Sequence, residues 1–155
     1  MPAPRITQTL IVIHQGSQVL LGMKKRGFGA GNWNGFGGKP LKGETVEQAV
    51  RRELQEEAGI TATDVVKRGL MRFDFEEPAD LKIDVHLFSA SAFMGEPTET
   101  EEMKPRWFSI HEIPFDKMWP DDKYWFPIFL AGKNFNAQFD LKNSVTLLRH
   151  EIKEV

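Results

Sequence analysis

The chain contains no cysteine in its 155 residues, which excludes disulfides, thiolate chemistry and cysteine-based zinc sites. Long apolar runs are equally absent. No uninterrupted stretch approaches the roughly 18 residues of a membrane-spanning helix, so no membrane partner is expected. A surplus of either charge is missing as well: 20 basic against 22 acidic residues leave a formal net charge of -2. A chain so balanced lacks the basic footprint of a protein that tracks along DNA or RNA, and polymeric nucleic acid is disfavoured as a partner. A small polyanion reached through a metal ion stays compatible with it. Met1 to Arg5, short and polar with two prolines, has neither the apolar core of a signal peptide nor the Arg/Ser-rich character of a transit peptide. The cytosol is the expected location, with mitochondrial or nuclear fractions compatible. Internal repeats, low-complexity tracts and linkers are not found. What remains, 41% hydrophobic and 27% charged residues of both signs, is the profile of one soluble globular domain spanning 1–155, expected to be a monomer.

Ile6 to Ile13 and Val19 to Met23 read as strands joined by the turn Gln15-Gly16-Ser17. Between Gly27 and Gly38 six of twelve residues are glycine, interleaved with Phe28, Trp33 and Phe36, which predicts a loop whose backbone approaches something closely. Thr45 to Ala58 reads as a helix, opened by a capping box of Thr45 and Gln48 and closed by Gly59. Further strands are expected at Val65 to Phe75, Ile83 to Phe93 and Arg106 to Phe108. A second helix should begin near Asp121 or Asp122 and end before Gly132, with Pro127 bending or interrupting it. Phe135 to Leu141 and Val145 to Ile152 read as closing strands. This order predicts an α/β domain with a mixed sheet between helices. Most of the four Trp and twelve Phe belong in the core, and the four His show no ligand spacing.

The first helix carries the chemistry. Stepping about 100° per residue from Val46 places Val50 near 40° and Leu54 near 80°, while Glu53, Glu56 and Glu57 fall near 340°, 280° and 20°. The apolar stripe of the first two turns thus becomes a carboxylate cluster in the last two, with Glu47, Gln48, Arg51, Arg52 and Gln55 on the opposite side. Glu53 repels Glu56 and Glu57 at i,i+3 and i,i+4, costing roughly 0.2 to 0.5 kcal/mol each. Carboxylates in a last turn also oppose the macrodipole by roughly 0.3 to 1 kcal/mol each. The sum, about 1 to 3 kcal/mol, is a noticeable fraction of the roughly 5 to 15 kcal/mol that holds a domain folded. Clustered oxygens with no nearby Cys or His suit a hard cation, Mg²⁺ or Mn²⁺, that bridges to phosphates. A solvated acidic helix end is the other reading of the same residues.

From Gly38 the sequence runs Gly38, five residues, Glu44, seven residues, Arg52-Glu53-Leu54, one residue, Glu56-Glu57, one residue, Gly59-Ile60. This resembles in full the box of the Nudix hydrolases, G-x5-E-x7-R-E-U-x-E-E-x-G-U with U aliphatic, nine specified positions over 23 residues. The resemblance implies the Nudix fold, and a loop-helix-loop that holds Mg²⁺ on Glu56 and Glu57. Glu53 would be a further ligand or a water-orienting carboxylate. Arg52 would position a glutamate by ion pairing, and main-chain oxygen of the Gly37-Gly38 turn would join the ligand set. The implied reaction is hydrolysis of a nucleoside diphosphate linked to another group.

Leu20 to Gly38, Asp84-Val85-His86, Glu102-Met103 and Met118 to Asp122 extend the match. They resemble the vertebrate members of that family that cleave oxidised purine nucleoside triphosphates, 8-oxo-dGTP and 2-hydroxy-dATP, to monophosphate and pyrophosphate. Small oxidised purine nucleotides, O6-methyl-dGTP being a further candidate, are the partners so implied. By position, Asn34, Asp121 and Asp122 would hydrogen-bond the purine edge, Trp119 and Phe28 would pack on the base, and Thr9, Lys24 and Phe73 would lie nearby. Glu102 would be an additional metal or base carboxylate. The match departs at one extra residue between Phe73 and Asp84 and in the tail from Asn134.

Two adjacent carboxyls against a purine have a chemical use. Guanine's edge offers two donors beside an acceptor, adenine-type bases reverse part of that pattern, and an Asp accepts when ionised or donates when protonated. A proton shared between Asp121 and Asp122 would let one pocket read both. On residues alone, Asp121-Asp122 after Pro120 also reads as a helix N-terminus. Lys24-Lys25-Arg26 is either a solvated cluster or a phosphate-facing one. Two alternatives remain in function: another nucleoside diphosphate-linked substrate, or a nucleotide-binding module without catalysis.

Overall fold

The computed structural model describes residues 4–155, so Met1 to Ala3 of the polar start lie outside the described residues. β1 (Ile6–Gln15) and β2 (Gln18–Lys24) form the expected hairpin, turning at Gly16 with a φ of 55° that favours glycine. Beyond the Ile13–Leu20 pair the two strands part, and the glycine-rich segment enters the gap. There β3 (Trp33–Asn34) pairs with Gly22 and Met23 of β2, while Phe36 bridges Ile11 of β1. The segment expected to be loop is therefore partly sheet. A Cβ at Gly35 would meet the Ile11 carbonyl at 2.6 Å and one at Gly37 would run into the Thr9 carbonyl, so only side-chain-free backbone can lie this close to β1.

α1 (Val46–Ala58) carries the predicted capping box and ends at Gly59 in the left-handed conformation, φ 72°. Two short strands, β4 (Thr61–Ala62) and β7 (Phe93–Met94), pair with each other and flank β5 (Val66–Phe75) and β6 (Lys82–Ala90) in sequence. The strand expected over Ile83 to Phe93 stops at Ala90. The carboxylate of Asp64 accepts the main-chain N–H groups of Ser91 and Ala92, and donors so occupied cannot continue the ladder. β8 (Met103–Ser109) runs longer than the expected Arg106 to Phe108 because it pairs with β2 along its whole length.

A single 3₁₀ turn (Phe115–Lys117) precedes α2 (Asp122–Leu130). Pro127 sits inside α2 without ending it, since Trp125, Phe126 and Phe129 bury one face against the sheet and offset the lost backbone bond. β9 (Phe135–Leu141) is as predicted, whereas β10 (Leu147–Glu154) starts two residues after the expected Val145. Asn143 explains the delay: its Oδ1 accepts from the N–H of Val145 and of Thr146, closing a turn there.

The strands assemble in the order β10-β9-β5-β6-β1-β2-β3, with β8 also on β2. β1 with β6 and β5 with β9 are parallel, the other pairs of this sheet antiparallel. Alternation along β1 divides the core in two. Ile11 and Ile13 face Val50, Leu54 and Ala58 of α1, while Val12 faces the aromatic cluster of α2, Trp125, Phe126 and Phe129. A mixed sheet between two helices is the Nudix architecture expected from the sequence.

Candidate active site

A cavity of about 520 Å³ opens on the α2 side of the sheet, a size typical of small-ligand sites. Its wall is the inward row of three strands: Leu10 of β1, Met71, Phe73 and Phe75 of β5, Ile83 and Val85 of β6. All the residues expected to contact substrate, namely Thr9, Lys24, Phe28, Asn34, Phe73, Trp119, Asp121 and Asp122, line this one space.

Asp121 and Asp122 form its polar end, 2% and 3% exposed. The indole Nε1 of Trp125 donates to Asp121 Oδ2 at 2.9 Å and to Asp122 Oδ1 at 3.1 Å. The remaining oxygens, Asp121 Oδ1 and Asp122 Oδ2, are buried without a hydrogen-bond partner among the described residues. The pair does open α2, Asp121 at the N-cap position and Asp122 in the first turn, but Asp121 makes no side-chain cap hydrogen bond, which leaves its carboxyl to the cavity. Burial pushes both carboxyls above the usual carboxylate range, and at Asp122 the charge of Asp121 adds to it. Beside them, Asn34 Oδ1 accepts from Gly35 N–H at 2.9 Å, which leaves the amide NH₂ to donate. The ring of Phe28 stands 5.2 Å from that of Trp119 at a 55° tilt, forming an aromatic cover that Phe75 buttresses edge-on from 6.2 Å.

At the other end stand the carboxylates of α1. Glu57 lines the cavity, and its Oε1 accepts from Gly37 N–H at 2.9 Å. Burial pushes Glu57 up to about 8, the charges of Glu53 and Glu102 adding to the rise while Gly37 and Lys24 oppose it. Glu53 packs on Gly38 so tightly that a Cβ there would meet its carboxyl carbon at 2.7 Å. Burial raises Glu53 too, against the pull of Arg52. Thr9 pins the turn between them: its Oγ1 donates to Gly38 O at 2.9 Å and accepts from Gly38 N–H at 3.2 Å.

Arg52 organises the rest of the cluster. Its guanidinium forks onto Glu44 through Nε at 2.8 Å and a terminal nitrogen at 3.0 Å, and also reaches Glu53 at 3.0 Å and Glu56 at 3.2 Å. These hydrogen bonds, that of Glu44 foremost, raise its already high pKa. The structure therefore brings Glu53, Glu57, Gly37 and Gly38 together, while Glu56 and Glu102 lie further out, 55% and 51% exposed, turned to Arg52 and Arg26. Among the described residues no three acidic or imidazole side chains form a ready coordination shell. The donor set still fits a hard cation: two carboxyls driven up by burial and by the charges of neighbouring glutamates, beside a tight main-chain turn, gain most from a positive charge placed among them. Of the basic cluster, Lys24 lines the cavity, whereas Lys25 bonds Glu99 at 2.6 Å and Arg26 reaches Glu102 at 3.3 Å.

Several contributors to the site are only faintly marked in the sequence. Glu44 is the anchor of Arg52, and the fixed glutamate of the motif was its signal. The apolar wall was written in the alternation of Met71, Phe73 and Phe75 with Ile83 and Val85. Trp125 carried no signal beyond its place one helical turn after Asp121.

Comparison with known proteins agrees with this fold. The NUDIX domain matches residues 4–129. The chain is 50% identical over 147 residues to the oxidized purine nucleoside triphosphate hydrolase of Mus musculus, covering 95% of this chain and 94% of that protein. It is likewise 50% identical over 147 residues to the enzyme of that name from Danio rerio. Among solved structures, the MutT protein of Bacillus halodurans superposes with a TM-score of 0.84 at 27% identity, covering 96% of this chain and 97% of that one. An unbroken motif from Gly38 to Ile60, mounted on this sheet and helix arrangement, together with the domain match and the identity to these relatives, makes the chain a member of the Nudix family of hydrolases.

Proposed function

We propose that the protein hydrolyses oxidised purine nucleoside triphosphates, 8-oxo-dGTP, 2-hydroxy-dATP and O6-methyl-dGTP among them, to the monophosphate and pyrophosphate in a Mg²⁺-dependent reaction. It acts as a monomer and keeps damaged nucleotides out of the pool. The observation that carries this reading is the buried Asp121-Asp122 pair with one unpartnered oxygen on each carboxyl. Buried oxygens of this kind are costly without a hydrogen-bond partner, and a ligand with matching polar atoms supplies one. The names of the mouse and zebrafish relatives point to the same substrate class.

In this reading the base slides between the Phe28–Trp119 cover and the wall of Met71 and Phe73, which exclude water from its faces. Asp121 and Asp122 take the Watson–Crick edge. With one carboxyl protonated, the pair accepts from the N1-H and N2-H of a guanine and, by passing the proton to its neighbour, meets the altered pattern of 2-hydroxyadenine. The NH₂ of Asn34 donates to a purine acceptor. That places the triphosphate towards Lys24, whose charge favours it, and towards Glu57. The main chain of Gly37 and Gly38 with Glu53, Glu56, Glu57 and Glu102 would hold Mg²⁺ or Mn²⁺, which when bound lowers the pKa of the attacking water and neutralises phosphate charge. Arg52 holds Glu53 and Glu56 in orientation from the outer side. A nucleotide panel assayed for pyrophosphate release with Mg²⁺ and again with EDTA tests the proposal. Oxidised purines should be turned over well ahead of dGTP and dATP, and EDTA should abolish release.

A further inference from the structure

The polar end of the cavity has a feature that the base-reading scheme does not use. A single donor, the indole N–H of Trp125, lies within hydrogen-bond distance of both carboxyls, 2.9 Å from Asp121 Oδ2 and 3.1 Å from Asp122 Oδ1. Trp125 itself is fully buried, stacked on Phe126 at 4.4 Å and edge-on to Phe129 at 5.9 Å, so the ring cannot turn away. Behind it, Arg68 lies over the Phe129 ring at 4.4 Å and donates to the carbonyls of Phe129 and Lys133. That locks the end of the helix on which Trp125 sits.

We propose that Trp125 is the positioning residue of the base-reading pair: its one N–H, shared between Asp121 and Asp122, turns their other oxygens to the ligand and supports the negative charge on whichever carboxyl carries it. The inference rests on the oxidised-purine reading given above. The physical reason is symmetry of support. Were the N–H committed to one carboxyl, that residue would be the fixed anion and its neighbour the fixed acid, and the pocket would recognise one donor pattern only. A donor near equidistant from both supports the anion on either residue, so a ligand with the matching pattern draws the proton across from Asp122, which holds it more tightly in the free chain. Among the described residues no other group bonds the two outward oxygens. The ionisable residues that line the same cavity are Lys24 on β2, Lys39 ahead of α1 and Glu57 on α1, with Arg68 of β5 behind the indole.

The test is Trp125→Phe, which keeps an aromatic ring in the cluster and removes the donor. KM for 8-oxo-dGTP should rise about 10- to 100-fold with kcat little changed, the loss of one hydrogen bond to a charged group. Loss of a donor to the anion raises the pair's apparent pKa, so the pH midpoint in KM should move up by about one unit. The ratio of kcat/KM for 2-hydroxy-dATP to that for 8-oxo-dGTP should change as well. Leu20→Ala, a loss of packing in the core on the opposite face of the sheet that leaves the donor and its neighbours in place, should lower the melting temperature and leave that midpoint and ratio where they were. In the wild-type chain, the ¹⁵N–¹H resonance of the Trp125 indole should titrate with the same midpoint as KM. A pH-invariant indole resonance would overturn the proposal whatever the variants do. An unshifted midpoint and unchanged ratio in Trp125→Phe, with wild type still preferring oxidised purines, would overturn it also. Wild type lacking that preference would instead refute the substrate reading beneath it.

Discussion

The main-chain N–H of Gly37 donates to Glu57 Oε1 at 2.9 Å, joining positions 20 residues apart. That bond couples the glycine turn, wedged beside β1, to the C-terminal end of α1, where carboxylates are least favoured. It also engages one oxygen of a carboxylate that lines the cavity.

Gly37→Ala should therefore disable the enzyme without unfolding it. A methyl group there collides with the Thr9 carbonyl and must push the turn away from both β1 and Glu57. A displacement of an ångström or so in a catalytic constellation costs about 100-fold in kcat/KM. Far-ultraviolet circular dichroism should stay close to wild type, and wild-type kcat/KM would show that the turn does not position the carboxylates.

Glu56→Gln should lower kcat by about 100- to 1,000-fold, the scale of removing one group that stabilises developing charge. Nucleotide affinity should be spared in part, because Glu56 does not line the cavity that the base-binding residues form. Single-turnover kinetics and equilibrium binding separate the two effects. Turnover at the wild-type rate would contradict the metal assignment.

Arg52→Lys should cost both stability and rate. Lysine cannot reproduce the fork onto Glu44 while also reaching Glu53 and Glu56. Since the arginine side chain is 24% exposed, solvent screens part of the loss, and a drop of about 1 kcal/mol, or about 2 to 4 °C in Tm, is expected. Thermal melts check the first effect and kcat the second, and an unchanged kcat would mean that Arg52 only stabilises the fold.

Asp122→Asn gives a signed pH prediction. Burial and the neighbouring Asp121 raise Asp122 in the folded chain, so the folded state holds that proton more tightly than the unfolded state. Its contribution to stability therefore falls as pH rises from about 4, the ordinary Asp value, towards the raised folded value. The variant should flatten this limb and gain roughly 2 to 4 °C in Tm at neutral pH while losing affinity for 8-oxo-dGTP. Melts across the acid-to-neutral range decide it. A uniform loss of Tm at every pH would show that Asp122 supports the fold rather than straining it.

Much of this was legible in the chain itself. The capping box at Thr45, the stop at Gly59 and the clustering of Glu53, Glu56 and Glu57 are local properties of one helix, and local patterns survive folding. What escaped the sequence was non-local. β3 exists only because β1 and β2 part after Leu20 and leave an edge of β2 to pair with. β6 ends where Asp64, 27 residues upstream, captures Ser91. Glu56 turns outward because Arg52 draws it, a preference that helical angles alone cannot express. The Asp121-Asp122 pair was visible as two letters, but its burial and its shared donor arise from the packing of α2 on the sheet.

The account stands on a base-reading pocket opening onto a carboxylate cluster, and the most direct measurement is kcat/KM for pyrophosphate release from 8-oxo-dGTP against dGTP with Mg²⁺, in wild type and in Asp121→Asn and Asp122→Asn. Wild type should favour 8-oxo-dGTP by at least about 10-fold, the scale of one well-placed substituent contact, and each variant should lose much of that preference. Equal rates on both nucleotides, or a preference and pH dependence untouched by both substitutions, would contradict it.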